Sequence, residues 1–142
     1  MSNEFIRIRE WPTHHAKQAY ENGDFIEALQ VLHGWIESRL QELLQLYGVN
    51  DCNQKHNKIW DIVSQINFNN SVKVLYILNI LSDNEFQQLT KFNSTRNQLI
   101  HKIFHEPYEK IYEGIPKKEY DNVFNQGMRL ADIIQLKVEE KV

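Results

Sequence analysis

The chain has 142 residues, 42% of them hydrophobic and 25% charged, a balance that fits one globular domain, residues 1–142, and excludes a disordered chain. Its one cysteine, Cys52, excludes an internal disulfide and any multi-cysteine zinc site, and fits a cytoplasmic setting. A formal net charge of −3 excludes wholesale coating of nucleic acid, which needs many Lys and Arg to displace counterions.

The N-terminal run MSNEFIRIREW mixes charges into each apolar stretch, so no secretory signal is expected there. Pro12 suits the first turn of a short helix running to about Asn22, with Gly23 as its stop. Asp24 and Glu27 have the spacing of a capping box and open a second helix. Its apolar positions, Phe25, Leu29, Leu32, Trp35, Ile36, Leu40, Leu43 and Tyr47, recur by threes and fours and make one stripe. Gly48 is expected to end it, before a polar, turn-like stretch over 49–55.

A short helix over about 56–66 carries Ile59, Val63 and Ile66, and the run INFNNS is expected to break it. Another follows over about 71–81, with Val74, Leu75, Leu78 and Leu81 inward. The longest apolar run, Val72 to Leu81, contains Lys73 and Asn79 and is far short of the ~18 residues that span a bilayer, so no membrane partner is expected. Ser82 and Glu85 form a second capping box opening a long helix to about His105. Residues 106–115 read as a loop. Pro116 then opens a last helix that buries Tyr120, Val123, Phe124, Met128, Ala131, Ile134 and Val138. No stretch alternates with period two for long enough to make a strand. The expected fold is all-α: an antiparallel bundle of four principal helices plus one or two short ones.

The helix from Ser82 to His105 breaks its own pattern. At ~100° per residue, Phe86, Leu89, Phe92, Leu99, Ile100, Ile103 and Phe104 share one broad arc, and Arg96 falls near its middle. Asn93 and Asn97 lie along the edge, which His101 and His105 continue toward the polar side. A charge on an apolar stripe is costly unless it is paired. One explanation is a structural ion pair with an acid of the second helix, such as Glu37 or Glu42. A second is a subunit interface. The third is a cleft in which the arginine meets an anion. One bundle cannot bury this mixed arc without stranding Arg96, so a homodimer is expected, with these helices near the two-fold axis.

The residue types fit metal-free cleavage of RNA. Histidine titrates near neutral pH and moves protons. A guanidinium offers a planar fork to phosphate oxygens. An amide orients a hydroxyl or the histidine, and RNA brings its own nucleophile, the 2′-hydroxyl. Asn97 and His101 are four apart and neighbours on one face. Arg96 and His101 are ~140° apart round the helix, a separation that a second copy across a dimer axis would relieve. Between Phe86 and Lys118 there are six basic and three acidic residues, a local excess in an acidic chain. Lys91, Lys102 and His105 are secondary candidates for contact with an RNA backbone.

The run TRNQLIHKIFH, Thr95 to His105, resembles the R-x4-H signature of HEPN domains, whose common form has Asn directly after the Arg. The start SDNEFQQLTKF and the earlier ALQVLHGWIESRLQELL are similar in layout to HEPN bundles, over about Pro12 to Val138. The specific part is six residues, Arg96 to His101. The resemblance implies a homodimer whose two motifs meet in a cleft, with catalytic Arg96, Asn97 and His101 and no cofactor. It implies a ribonuclease of toxin–antitoxin or defence type, often paired with a nucleotidyltransferase-like antitoxin, leaving a 2′,3′-cyclic phosphate. It also leaves open a non-catalytic module of the same fold that binds a protein, a nucleotide or RNA. A purely structural dimerisation domain is a third class.

Other constellations carry less. His101 and His105 have zinc-ligand spacing on a helix, but the flanking residues make neither HExxH nor HxxEH, and no third ligand is evident, so no metal is expected. His14, His15 and His56 sit near helix starts and read as solvated, and His33 as a partly buried packing residue. Cys52 lies in a polar loop with no base placed near it. Trp11, Trp35 and Trp60 read as core or interface anchors. No P-loop, GxGxxG or GxSxG occurs.

Overall fold

Pro12 fixes φ where an N–H has no helical partner, and it opens α1 (Pro12–Glu21). In the computed structural model, which describes residues 4–7, 10–104 and 114–142, five further α-helices follow among those residues. They are α2 (Phe25–Leu46), α3 (His56–Val63), α4 (Phe68–Ile77), α5 (Asp83–Phe104) and α6 (Lys117–Lys141). There is no strand among the described residues, so the fold is the all-α bundle that the periodicity implies. None of these helices is long and apolar enough to cross a membrane.

Gly23 stops α1 as expected, at φ +83°, a conformation that costs glycine little. Its N–H bonds the Tyr20 carbonyl at 3.0 Å, and the Asp24 N–H bonds that of Ala19 at 2.8 Å. This is a Schellman wrap. It also corrects an expectation. The capping box of Asp24 and Glu27 does not form, because the N–H that Glu27 would satisfy already belongs to Ala19. Glu27 instead faces His15 on α1, at 3.7 Å.

Helix α2 is central and packs against α1, α4, α5 and α6. Leu29, Leu32, Ile36, Leu40 and Leu43 are fully buried along it. Gly48 does not end the winding. The chain widens into a π-helical turn over Tyr47–Asp51, and Gly48 lets Ile59 of α3 pack closely, since an added Cβ would lie 3.0 Å from an Ile59 methyl.

Helix α3 stops at Val63, a little before the run INFNNS. Ile66 and Asn67 of that run lie between the helices, and the rest of it starts α4, where the Asn67 side chain accepts the Asn70 N–H at 2.9 Å. Helix α4 then stops earlier than expected, at Asn79, which takes φ +62°. The Asn79 and Ile80 N–H groups bond the Tyr76 and Leu75 carbonyls, the same wrap as at Gly23. Leu75 and Leu81 are buried, whereas Val74, expected inward, is 36% exposed.

The second capping box forms in both directions. Ser82 Oγ accepts the Glu85 N–H at 3.1 Å, and Glu85 accepts the Ser82 N–H at 2.8 Å. Glu85 also meets Lys137 of α6 at 3.1 Å. Partial burial pushes the Glu85 carboxyl up, but the Ser82 N–H and Lys137 together hold it below its ordinary value. Helix α6 approaches α2 and α5 at Gly127, where a Cβ would lie 2.5 Å from the Phe92 ring and 2.7 Å from Leu32. Tyr120, Val123, Phe124, Leu130, Ala131, Ile134 and Val138 are its buried face, with Met128 half-buried.

Candidate functional site

Phe92 and Leu99 anchor the middle of α5 in the core. Arg96 lies between them in sequence and is therefore carried to the border of the apolar face, half-buried. Its Nη1 donates to the Asn97 amide oxygen at 2.9 Å. Its Nε is buried with no hydrogen-bond partner. Among the described residues no carboxylate oxygen lies within 4.0 Å of the guanidinium. Burial lowers the Arg96 pKa, and the charge of Glu37 opposes that shift.

Glu37 is near enough to be felt by Arg96, yet its Oε2 accepts the Phe68 N–H at 2.7 Å. That N–H is one of the unpaired donors at the start of α4. The direct ion pair offered as one explanation of Arg96 is absent: one oxygen of the carboxylate is taken by a helix terminus, and Glu37 acts on Arg96 through space only. Glu42, the other acid considered, acts on Arg39, whose guanidinium sits 4.3 Å over the Trp35 ring.

One turn before Glu37 on α2, His33 faces the same seam. Its ring stacks on Phe68 with centroids 4.7 Å apart and planes at 16°. Its Nε2 bonds the Asn93 side-chain oxygen across to α5 at 2.8 Å. Burial lowers the His33 pKa; the Asn93 hydrogen bond resists, Arg96 lowers it further and Glu37 raises it. His33 is thus a half-buried packing residue, as expected, and also belongs to a polar cluster with Glu37, Asn93, Arg96 and Asn97. Sequence reasoning placed Asn93 and Asn97 on the edge of the apolar arc and Arg96 near its middle, whereas Arg96 is half-buried and bonded to Asn97 at that edge. It missed the pairing of His33 with Asn93, for which the only signal was the four-residue spacing of His33 and Glu37 on α2.

His101 is exposed one turn beyond Asn97. The two share a shallow surface depression with Gln98 and Lys102. Of the secondary candidates, Lys102 lines this depression and Lys91 lies elsewhere. Lys102 is held by Glu119 of α6 at 2.9 Å. Lys91 lines a polar groove between α5 and α6, with Gln98, Glu119, Gln126 and Arg129. Lys117, counted in the local basic excess, is bonded to Asp121 at 2.9 Å and to the Tyr20 hydroxyl at 2.7 Å. His105 lies outside the described residues, as do Lys110 and most of the expected loop. Among the described residues no three His, Cys, Asp or Glu side chains gather as a metal site would require. Cys52 is exposed. Trp11 and Trp60 are 54% and 43% exposed, so neither is a core anchor of this chain, whereas Trp35 is half-buried and meets Trp11 edge-on at 5.0 Å.

The arrangement offers a cation with unused donors, an amide that orients it, and an exposed histidine one turn on. Compared with family models, curated proteins and solved structures, the chain matches none.

Proposed function

We propose that the Arg96–Asn97–His101 edge of α5 is the active site of a metal-independent RNA endonuclease of the HEPN type. The carrying observation is Arg96: a half-buried guanidinium whose Nε has no partner and which has no carboxylate within 4.0 Å among the described residues. Such a group suits an incoming phosphate oxyanion better than a structural pair. In this reading the RNA 2′-oxygen forms a bond to phosphorus as the bond to the 5′-oxygen breaks. His101 takes the 2′-hydroxyl proton, a proton passes to the departing 5′-oxygen to leave a 5′-hydroxyl, Arg96 takes the developing phosphate charge and Asn97 keeps the guanidinium oriented. A second copy of the chain completes the cleft, and the resemblance adds a nucleotidyltransferase-like antitoxin and a cytoplasmic setting.

One observation favours a second reading, a non-catalytic module of the same fold. Lys102 and Lys117, two of the six basic residues counted between Phe86 and Lys118, are paired with Glu119 and Asp121, which weakens the local basic excess as a surface for a long RNA. The test separates the two. The full chain is incubated with single-stranded and structured RNAs in excess chelator, and the product ends are analysed. Cleavage leaving 2′,3′-cyclic phosphates and 5′-hydroxyls is expected. Intact RNA throughout, or cleavage abolished by the chelator, sinks the nuclease reading.

A further inference from the structure

The seam between α2 and α5 holds two groups whose protonation and ligand needs are coupled. Arg96 has five N–H donors, and Asn97 accepts from one of them. His33 is held in a fixed plane by the Phe68 stack and given one tautomer by Asn93. With the Asn93 oxygen as acceptor, Nε2 carries the proton of the neutral ring, and Nδ1 is the atom that takes a second. Asn93 and Arg96 are three apart on α5, so the His33 ring and the guanidinium are brought to neighbouring positions on one helix face.

We propose that an oxyanion seated on the Arg96 guanidinium binds together with one proton on His33, so that the two residues make a proton-linked site for a phosphate or phosphodiester group. This deepens the reading of Arg96 as a phosphate-facing cation and rests on it. His33 acts here as a positioning residue: it lies eight positions upstream of His101 in helical register through Asn93, about 12 Å along the axis. That is too far to share one reacting phosphate with His101 in the same chain.

The electrostatics follow from the groups that face His33. From its own helix comes Glu37, from α5 come Asn93 and Arg96, and from α4 comes the uncharged Phe68. Without an anion, burial and the Arg96 charge both oppose protonation of the ring. Glu37 favours it, but its carboxylate is fixed on the Phe68 N–H. An oxyanion on Arg96 cancels the repulsion from that side and adds attraction. Protonation becomes easier, and by linkage a proton is taken up as the anion binds. Anion affinity should fall as pH rises between the free and bound midpoints of His33, by up to about tenfold per pH unit.

The experiment follows the ring resonances of the histidines by NMR in the full chain between about pH 5 and 8. His33 is assigned by the signal lost in His33→Gln. Two probes are used: sulfate, a non-titrating free oxyanion, and a 2′-deoxy dinucleotide, which carries the phosphodiester without the nucleophile. In the free chain the His33 midpoint should lie below the ordinary histidine value, and either probe should raise it. Response to sulfate alone assigns a free oxyanion, and response to the dinucleotide assigns a nucleic-acid backbone. Arg96→Gln should raise the free midpoint and abolish the response, and His33→Gln should bind the probe with an affinity flat in pH. A His33 midpoint that neither probe moves in the wild-type chain overturns the proposal, as does an equal response in Arg96→Gln. Failure of the nuclease reading is scored separately: uncut RNA with a responsive His33 leaves this site standing, and cut RNA with an unresponsive His33 removes it.

Discussion

On the flank of α5 that faces α6, Lys102 meets Glu119 at 2.9 Å, and Lys91 lines a polar groove with that same acid and Arg129. On the flank that faces α2, Arg96 meets no carboxylate within 4.0 Å among the described residues, and its nearby acid is bound to a backbone N–H. Both flanks carry cations on one helix. The first is exposed, where an ion pair contributes ~0–1 kcal/mol and water screens the rest. The second is half-buried, where an unmatched charge is costly and an arriving anion gains most. Basic residues in a sequence window are therefore not one patch. Their helical angle and the commitments of the neighbouring acids decide which of them is available to a ligand.

The largest expected effect that tests this contrast is on RNA cleavage. Arg96→Ala and His101→Ala should each lower the rate by ~10²–10⁴, the usual loss for a positioned charge or proton-transfer group. Lys102→Ala should change it several-fold at most, because that ammonium is already occupied by Glu119. Single-turnover assays on the three variants measure the difference, and equal losses would erase the distinction between the flanks.

A second effect concerns the packing that builds the α6 flank. Gly127→Ala places a methyl 2.5 Å from the Phe92 ring, so α6 must move or the ring must turn. Overpacking of this kind costs ~1–3 kcal/mol, readable by urea denaturation. Smaller still is the cap at the start of α5. Ser82→Ala should cost ~1 kcal/mol, whereas Asp24→Ala at the start of α2 removes no side-chain capping bond and should cost less.

The His33 protonation that separates the flanks also makes stability depend on pH. Its folded midpoint lies below the ordinary value of 6.5, so below about that pH the unfolded chain binds more protons than the folded one. The contribution is complete above pH 6.5 and is lost as pH falls from there through the folded midpoint. Melts of wild type and His33→Gln across this range should diverge on the acid side, with the variant flatter.

How far the sequence discloses this molecule depends on whether a feature is set by one helix or by two. The misplaced Arg96 is legible because Phe92, Arg96 and Leu99 share one helix and the angle between them is fixed. The two helix stops of the same kind split on residue type. Gly23 announces a left-handed conformation, whereas Asn79 adopts it too, at a cost glycine does not carry, and hides in an apolar run. The two capping boxes have the same spacing, and they differ because the Asp24 N–H is claimed by the wrap that ends α1. Nothing in one chain's periodicity shows which N–H is already spent. The His33–Asn93 bond spans sixty residues and depends on the register of α2 against α5, which the hydrophobic stripes leave open to rotation and slide.

The claim that Arg96 has no directly paired carboxylate in this fold is tested most directly by urea or thermal unfolding of Arg96→Met, which keeps the apolar stem and removes the charge. With no carboxylate held against the guanidinium, the variant should unfold at or above the wild-type midpoint in the absence of any anion. Added sulfate should stabilise wild type and leave the variant unmoved. A loss of ~3–5 kcal/mol in the variant, the penalty for stranding one member of a buried ion pair, would mean that Arg96 holds the fold together and contradict the account.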